Sequence, residues 1–134
     1  MLEIVNILAK SNIRVIFIGG EFDFGKDGFV GSLTIEMLKN FRFDLAFMGV
    51  VSVDIHDNAV TTYMANDGIT KKEVLNISRK SYMMAESEKL KQSGSYKYAN
   101  IEDFQGIITD ENLTETEEKE LLKYKYKKLY NKIK

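Results

Sequence analysis

The sequence predicts an α/β fold built on a mostly parallel sheet with helices on both faces, and three observations carry that expectation. Two runs, IRVIFIGG at 13–20 and LAFMGVVSV at 45–53, are apolar and β-branched almost throughout. A strand covered on both faces reads this way, because it has no polar side to offer water. Amphipathic stretches at helical spacing separate the apolar runs, and the connections between them are short and rich in Gly, Asp and Asn. Strand, helix and strand in alternation with short links is the pattern of a parallel sheet.

In chain order, Ile4, Val5 and Leu8 stand at helical spacing, and Asn12 is a suitable stop for that first helix. The run at 13–20 is the first strand and ends in a double glycine. After the loop EFDFGKDGFVG at 21–31, Ser32 can cap a helix that sets Leu33, Met37, Leu38 and Phe41 on one side. The second apolar run follows, then turn chemistry in DIHDNA at 54–59 and a short strand in VTTY at 60–63. Asn66 or Asp67 can cap the next helix, expected to reach about Lys80. YMMA at 82–85 and QGIITD at 105–110 are further strand candidates, with a short helix and a loop around Gly94 between them. Near the C-terminus, Thr114 and Glu117 have capping-box spacing. Behind them Leu122, Tyr126, Leu129, Tyr130 and Ile133 form one apolar stripe of a long helix. Its acids (Glu115, Glu117, Glu118, Glu120) come first and its lysines last, which suits the helix dipole. The lysine-rich end therefore has an ordinary explanation as a solvated helix face rather than a nucleic-acid patch.

With 134 residues, 44% of them hydrophobic and 29% charged, the chain has room for one core and not for two full domains. No apolar stretch is long enough to span a bilayer as a helix, and the N-terminus lacks the pattern of a signal peptide. The absence of cysteine removes disulfides and thiolate chemistry, in keeping with a cytoplasmic protein. A net charge of −1 argues against binding nucleic acid by bulk electrostatics. The single histidine, His56, gives almost no basis for a zinc site or a Ser-His-Asp triad. GGEFDFGKDGFVG contains no G-x-G-x-x-G, and no phosphate-binding Walker loop, nucleophile elbow or EF-hand loop is present, so no cofactor is expected.

What is left are polar residues at strand ends, where open α/β sheets bind their ligands. Gly19, Gly20 and Glu21 end one strand, and Gly49 interrupts the next, followed by Ser52 and Asp54. Thr61 and Thr62 close VTTY, Asp67 and Lys71 stand four apart at a helix start, Glu86 and Lys89 follow YMMA, and Asp110 and Glu111 close the last run. Taken singly, each has an ordinary structural explanation. Strand-end glycines are usually turn positions, and an i,i+4 Asp–Lys pair is usually an exposed helix pair.

Taken in order, these residues resemble a family. VIFIGGEF, FVGSLTIEMLKNFRFDLAFMGV, VTTYMANDGITKK, YMMAESEKL and FQGIITDENL are similar, in sequence and spacing, to the C-terminal effector-sensing domain of DeoR-type bacterial transcriptional repressors. That family is similar in fold to ribose-5-phosphate isomerase and the glucosamine-phosphate deaminases. The resemblance implies a sensor for a phosphorylated sugar, with no enzyme activity, whose ligand would alter how an attached helix-turn-helix engages DNA. By position it implies a ligand pocket at Gly19, Gly20, Gly49, Thr62, Asp67, Lys71 and Lys89, the lysines supplying point charges for a phosphate. The sequence departs from the family at Asp67, where a glutamate is usual, at Ser52, near a usual glycine, and at Glu86, where an aspartate is usual.

The resemblance spans nearly all of this chain as a single, partial sensing domain truncated at its N-terminus, without the helix-turn-helix and without the family's first strand and glycine-threonine phosphate loop. Sheet edge and apolar surface would then be uncovered, so a homo-oligomer is expected. Two other readings stay open. One is a remnant that serves in oligomerisation and binds no small molecule. The other is an isomerase- or deaminase-like enzyme using Asp54 or Glu86 with Lys89, against which stands the lack of any acid between Ala46 and Val51.

Overall fold

The structure is a computed structural model that describes residues 2–25, 28–110 and 113–124, and the backbone of 127–130. Its elements in order are α1 (Leu2–Leu8), β1 (Glu21–Asp23), β2 (Gly28–Val30), α2 (Ser32–Leu38), β3 (Phe43–Gly49), β4 (Ser52–Asp54), β5 (Ala59–Thr62), α3 (Ala65–Ile77), β6 (Ser78–Met84), β7 (Tyr96–Ala99), β8 (Gly106–Thr109), α4 (Glu115–Leu122) and β9 (Lys127–Tyr130). Short 3-10 turns cover Ser87–Leu90 and Ile101–Asp103.

The fold is α/β with a parallel sheet, in the order β3-β6-β8-β9. A three-stranded antiparallel sheet, β4-β5-β7, and a β1–β2 hairpin complete it. Ala46 and Met48 of β3, Met83 of β6 and Ile107 of β8 point to one face of the parallel sheet. There they join Val53, Val60, Tyr98, Ile101, Phe104 and Leu121 in the buried core, with Val74 and Leu75 of α3 packed against it. Strand alternation turns Leu45, Phe47 and Met84 to the opposite face, where all three are exposed. A parallel sheet is ordinarily covered on both faces. Here the helical cover lies on the core face, and the opposite face carries these exposed side chains.

Several elements differ from the sequence expectation. Residues 13–20 are not a strand. They pair with no other strand among the described residues, and Ile13, Ile16 and Phe17 are exposed. An apolar, β-branched run supplies half of a ladder, and the run becomes a strand only where another strand supplies the other half. The loop at 21–31 contains the β1–β2 hairpin, and its ladder is backed by edge-on packing of Phe22 and Phe29 against neighbouring rings.

Ser32 is the first residue of α2 rather than its cap. Gly31 holds the cap position at φ 93°, a left-handed conformation that suits glycine. Of the expected stripe Leu38 is buried, while Leu33 and Met37 face solvent, and Thr34 takes the other buried place. Helix α3 starts at Ala65 with Met64 in the cap position, so Asn66 and Asp67 fall within its first turn. It ends at Ile77 because the Ser78 hydroxyl turns back on the Val74 carbonyl (2.6 Å) and its backbone is already extended. YMMA is the end of the longer strand β6, and β7 lies in what the sequence shows as loop.

At the C-terminus the capping box is formed. Glu117 N–H donates to Thr114 Oγ1 (3.3 Å), and Thr114 N–H donates to Glu117 Oε2 (2.8 Å). The helix stops at Leu122, however, and 127–130 runs as a strand parallel to β8, so the long apolar stripe is divided between two elements. Tyr126 and Ile133 lie outside the described residues, as does Glu111. Leu122 itself is exposed, and it is Leu121 that enters the core.

Candidate functional site

The polar residues singled out above are distributed by the topology of the parallel sheet. β3 and β6 run in register from Phe43↔Ser78 to Gly49↔Met84. Helix α3 feeds directly into the start of β6 and packs back along the sheet, so its first turns lie toward the C-terminal ends of the strands. Val50 N–H donates to the Met84 carbonyl (3.2 Å) and Ala85 N–H to the Ile108 carbonyl (3.1 Å), which aligns those ends. In open α/β sheets this is the end at which ligands sit.

Three of the expected site residues are in direct contact there. Thr62, the last residue of β5, donates through Oγ1 to Asp67 Oδ2 at 2.7 Å, and Lys71 Nζ reaches the same oxygen at 2.9 Å. One carboxylate oxygen thus holds a hydroxyl and an ammonium, and the pair is well removed from water, with side chains 8% (Asp67) and 19% (Lys71) exposed. The expectation of an ordinary exposed helix pair is corrected by this burial. The lysine also lies 5.9 Å from the centre of the Tyr98 ring, a cation–π distance. Burial, and then the negative charge of Asp67, push the Tyr98 phenol well above its ordinary range. Its hydroxyl is buried without a hydrogen-bond partner among the described residues.

Close packing brings these elements together. A Cβ on Gly68 would lie 2.5 and 2.6 Å from the ring carbons of Tyr96 and 3.2 Å from Thr62 Cγ2, so α3 can approach β5 and β7 only with glycine there. Opposite, a Cβ on Gly94 would meet the Thr62 carbonyl at 2.6 Å. Gly94 N–H donates to Thr61 Oγ1 (2.7 Å), which is in turn 2.7 Å from the Ser52 hydroxyl. Ser52 is fully buried in that hydroxyl pair rather than lining an opening.

The other expected residues are placed separately. Gly49 ends β3 and is exposed, with open space around it. Lys89 sits in the 3-10 turn after β6, half-buried, and the turn is pinned where Ser87 N–H donates to Asp110 Oδ2 (3.1 Å). The Gly19 carbonyl accepts from Thr34 Oγ1 (2.9 Å), and Gly20 packs so closely on Thr34 that a side chain would collide with it. Gly31 N–H donates to Thr70 Oγ1 (3.1 Å), tying the start of α2 to α3. Asp67 reaches a cleft of about 270 Å3 beneath the hairpin. A second cavity of about 220 Å3, lined by Asp54, His56, Lys91, Glu117 and Glu120, contains none of the expected ligand residues. Asp54, weighed above as a catalytic base, caps the β4–β5 turn by accepting from the N–H groups of His56 (3.0 Å) and Asp57 (3.1 Å). Tyr98 and the Thr34 and Thr70 hydroxyls were not singled out in the sequence. The alternation in SYKYA was the available signal for Tyr98.

The structure thus places the chain in the broad class of α/β domains with a parallel sheet, with a buried charged cluster toward the C-terminal ends of its strands. Within that class the chain belongs to the DeoR C terminal sensor domain family, which matches it over residues 1–111. It is similar to the HTH-type transcriptional repressor GlcR of Bacillus subtilis, 28% identical over 101 residues, 75% of this chain and 38% of that protein. It is also similar to the lactose phosphotransferase system repressor of Staphylococcus epidermidis (27% identical, 88% of this chain and 47% of that protein). To the glycerol-3-phosphate regulon repressor of Escherichia coli it is 23% identical, over 78% of this chain and 41% of that protein. The chain spans less than half the length of these relatives. Among the described residues no helix is long and apolar enough to cross a membrane, and no group of side chains is arranged to hold a metal ion.

Proposed function

We propose that this chain is the effector-sensing part of a cytoplasmic regulator of sugar metabolism, and that it binds a phosphorylated sugar without transforming it. The observation that carries the reading is the buried Thr62–Asp67–Lys71 cluster at the C-terminal end of a parallel sheet, in a member of a sensor-domain family. Lys71 and Lys89 supply the cationic groups for a phosphate, and Gly19, Gly20 and Gly49 the close backbone approaches. The chain contributes no DNA contact of its own, in keeping with its net charge of −1, and acts on DNA only through an attached helix-turn-helix. The exposed sheet face carrying Leu45, Phe47 and Met84 favours a homo-oligomer, since large apolar patches on a lone protomer are unfavourable.

A thermal-shift panel of hexose phosphates, pentose phosphates and their unphosphorylated sugars tests the reading. At about a hundred times its dissociation constant a specific ligand adds about 2.7 kcal/mol, a shift of several degrees for a domain of this size. One phosphosugar shifting the melting temperature, with its free sugar far weaker, is the expected result. A flat panel on folded protein refutes it and favours the oligomerisation role.

A further inference from the structure

We propose that the cleft between the β1–β2 hairpin and the start of α3 holds the uncharged, hydroxylated part of a sugar ligand. The cleft, about 270 Å3, is lined by Glu21, Phe22, Asp23, Phe24, Met64 and Asn66. That volume is close to the lower limit for small-molecule pockets, ~300 Å3, and so suits a monosaccharide rather than a dinucleotide. With Asp67 also at its wall, the described lining carries carboxylates and an amide but no lysine or arginine. Carboxylates and amides accept the paired hydrogen bonds that vicinal hydroxyls offer, and the Glu21 and Asp23 carboxylates give a phosphate no attraction.

The acceptors are available. Asp23 uses Oδ1 to hold the Gly25 N–H (3.0 Å), which leaves its second oxygen for a ligand. Glu21 and the side-chain amide of Asn66 make no hydrogen bond or ion pair among the described residues. The aromatic wall is the second, independent observation. Phe17, Phe29, Phe22 and Phe24 form a ladder of rings with centroids 5.3, 5.3 and 5.0 Å apart. Its last member, Phe24, is fixed edge-on to Phe22 yet 92% exposed. A ring packed edge-on to one neighbour and otherwise left in water is an apolar surface that the fold does not cover, and the C–H face of a sugar ring is a partner that can stack on it. Ligand charge and ligand hydroxyls are thereby divided between the lysines Lys71 and Lys89 and the hairpin.

The inference rests on the sensing role for its ligand class, but on the hairpin residues rather than on the lysines. Its test is a titration of the isotope-labelled chain with unphosphorylated glucose and galactose and, separately, with inorganic phosphate, followed by amide chemical shifts. Millimolar hexose is expected to move the Phe22, Phe24 and Asn66 amides, while phosphate leaves them in place. Phe24→Ala and Glu21→Gln, both at exposed positions, are each expected to weaken the hexose effect, and together by about tenfold. Hexose that leaves the hairpin amides unmoved, or binds the double variant unchanged, overturns the proposal. A phosphosugar that binds wild type and double variant alike overturns the cleft and keeps the sensing role. A flat phosphosugar panel with hexose still moving the hairpin refutes the phosphosugar reading and keeps the cleft.

Discussion

Gly68→Ala is the substitution whose outcome depends most directly on how α3 is seated. In an exposed helix interior the change would stabilise by about 1 kcal/mol, because alanine has the higher helix propensity and restricts the unfolded chain. Here the new methyl would lie 2.5 and 2.6 Å from two carbons of the Tyr96 ring and 3.2 Å from Thr62 Cγ2. Carbon atoms in contact sit ~3.5–4.0 Å apart, so the ring or the helix must move by more than a fraction of an ångström. Overpacking of this kind costs about 1–3 kcal/mol, and after the propensity gain of about 1 kcal/mol a net loss of up to about 2 kcal/mol is expected. For a chain of this length that corresponds to a fall of up to roughly 10 °C in melting temperature by calorimetry or circular dichroism. In a Tyr96→Ala background the same substitution is expected to be nearly neutral or stabilising, since the obstructing ring is gone. A Gly68→Ala variant that melts higher than the wild type would refute the seating of α3 on β5 and β7, and with it the geometry of the Thr62–Asp67–Lys71 cluster.

Asp67→Ala and Lys71→Met, taken as a double-mutant cycle by urea unfolding, are expected to couple by about 1–3 kcal/mol, because both charges are largely buried and share one oxygen contact. Coupling below a few tenths would mean that the pair behaves as an exposed one. Thr114→Ala is expected to cost about 1 kcal/mol in the same assay through loss of the capping box. The Glu117 carboxyl is held below its usual range, chiefly because the Thr114 N–H donates to it, with the Thr114 hydroxyl and Lys91 adding to the effect. Its charged form is the one the fold favours. The stabilisation is complete above the ordinary carboxylate pKa and is lost as pH falls through the lowered value, so Glu117→Gln should flatten the acid limb of stability against pH. An unchanged acid limb would show that Glu117 has no part in it. Phe47→Ser, on the exposed sheet face, should leave stability within about 0.5 kcal/mol while lowering self-association in sedimentation velocity. Unaltered association would move the oligomer contact elsewhere.

The legible parts of this fold were those whose information is local. The Thr114–Glu117 box is four consecutive side-chain and backbone choices, and it forms as written. Apolar runs marked β3, the end of β6 and β8, although only one face of the sheet is covered and Leu45, Phe47 and Met84 are exposed on the other. What the sequence left hidden depends on partners distant along the chain. Residues 13–20 have the composition of a buried strand, yet a strand exists only with a ladder partner, and composition carries no information on whether one is adjacent. The stripe behind Leu122 has helical spacing, but β8 offers 127–130 a parallel edge, and pairing along that edge replaces the helix. Likewise the spacing in α2 offers four core positions, while the fold buries Leu38 and, through its contact with Gly19 and Gly20, Thr34.

The site divides in the same way, and the division bears on function. Asp67 and Lys71 were visible as an i,i+4 pair, but spacing cannot distinguish an exposed pair from a buried one. The distinction comes from Tyr98, on a strand that pairs with β5, and from Gly68, which allows α3 close enough to exclude water. Burial changes what the pair can do. An exposed pair is screened and exchanges freely with solvent ions, so it could not favour one anion over another. A lysine held against a tyrosine ring and a carboxylate, with one-fifth of its side chain open, can be reached by a ligand anion only from that open side. On the proposed sensing role, selectivity at this cluster would be set by how α3 is seated on the antiparallel sheet, and substitutions at Gly68, Tyr96 or Gly94 should then alter ligand preference without touching the ligand.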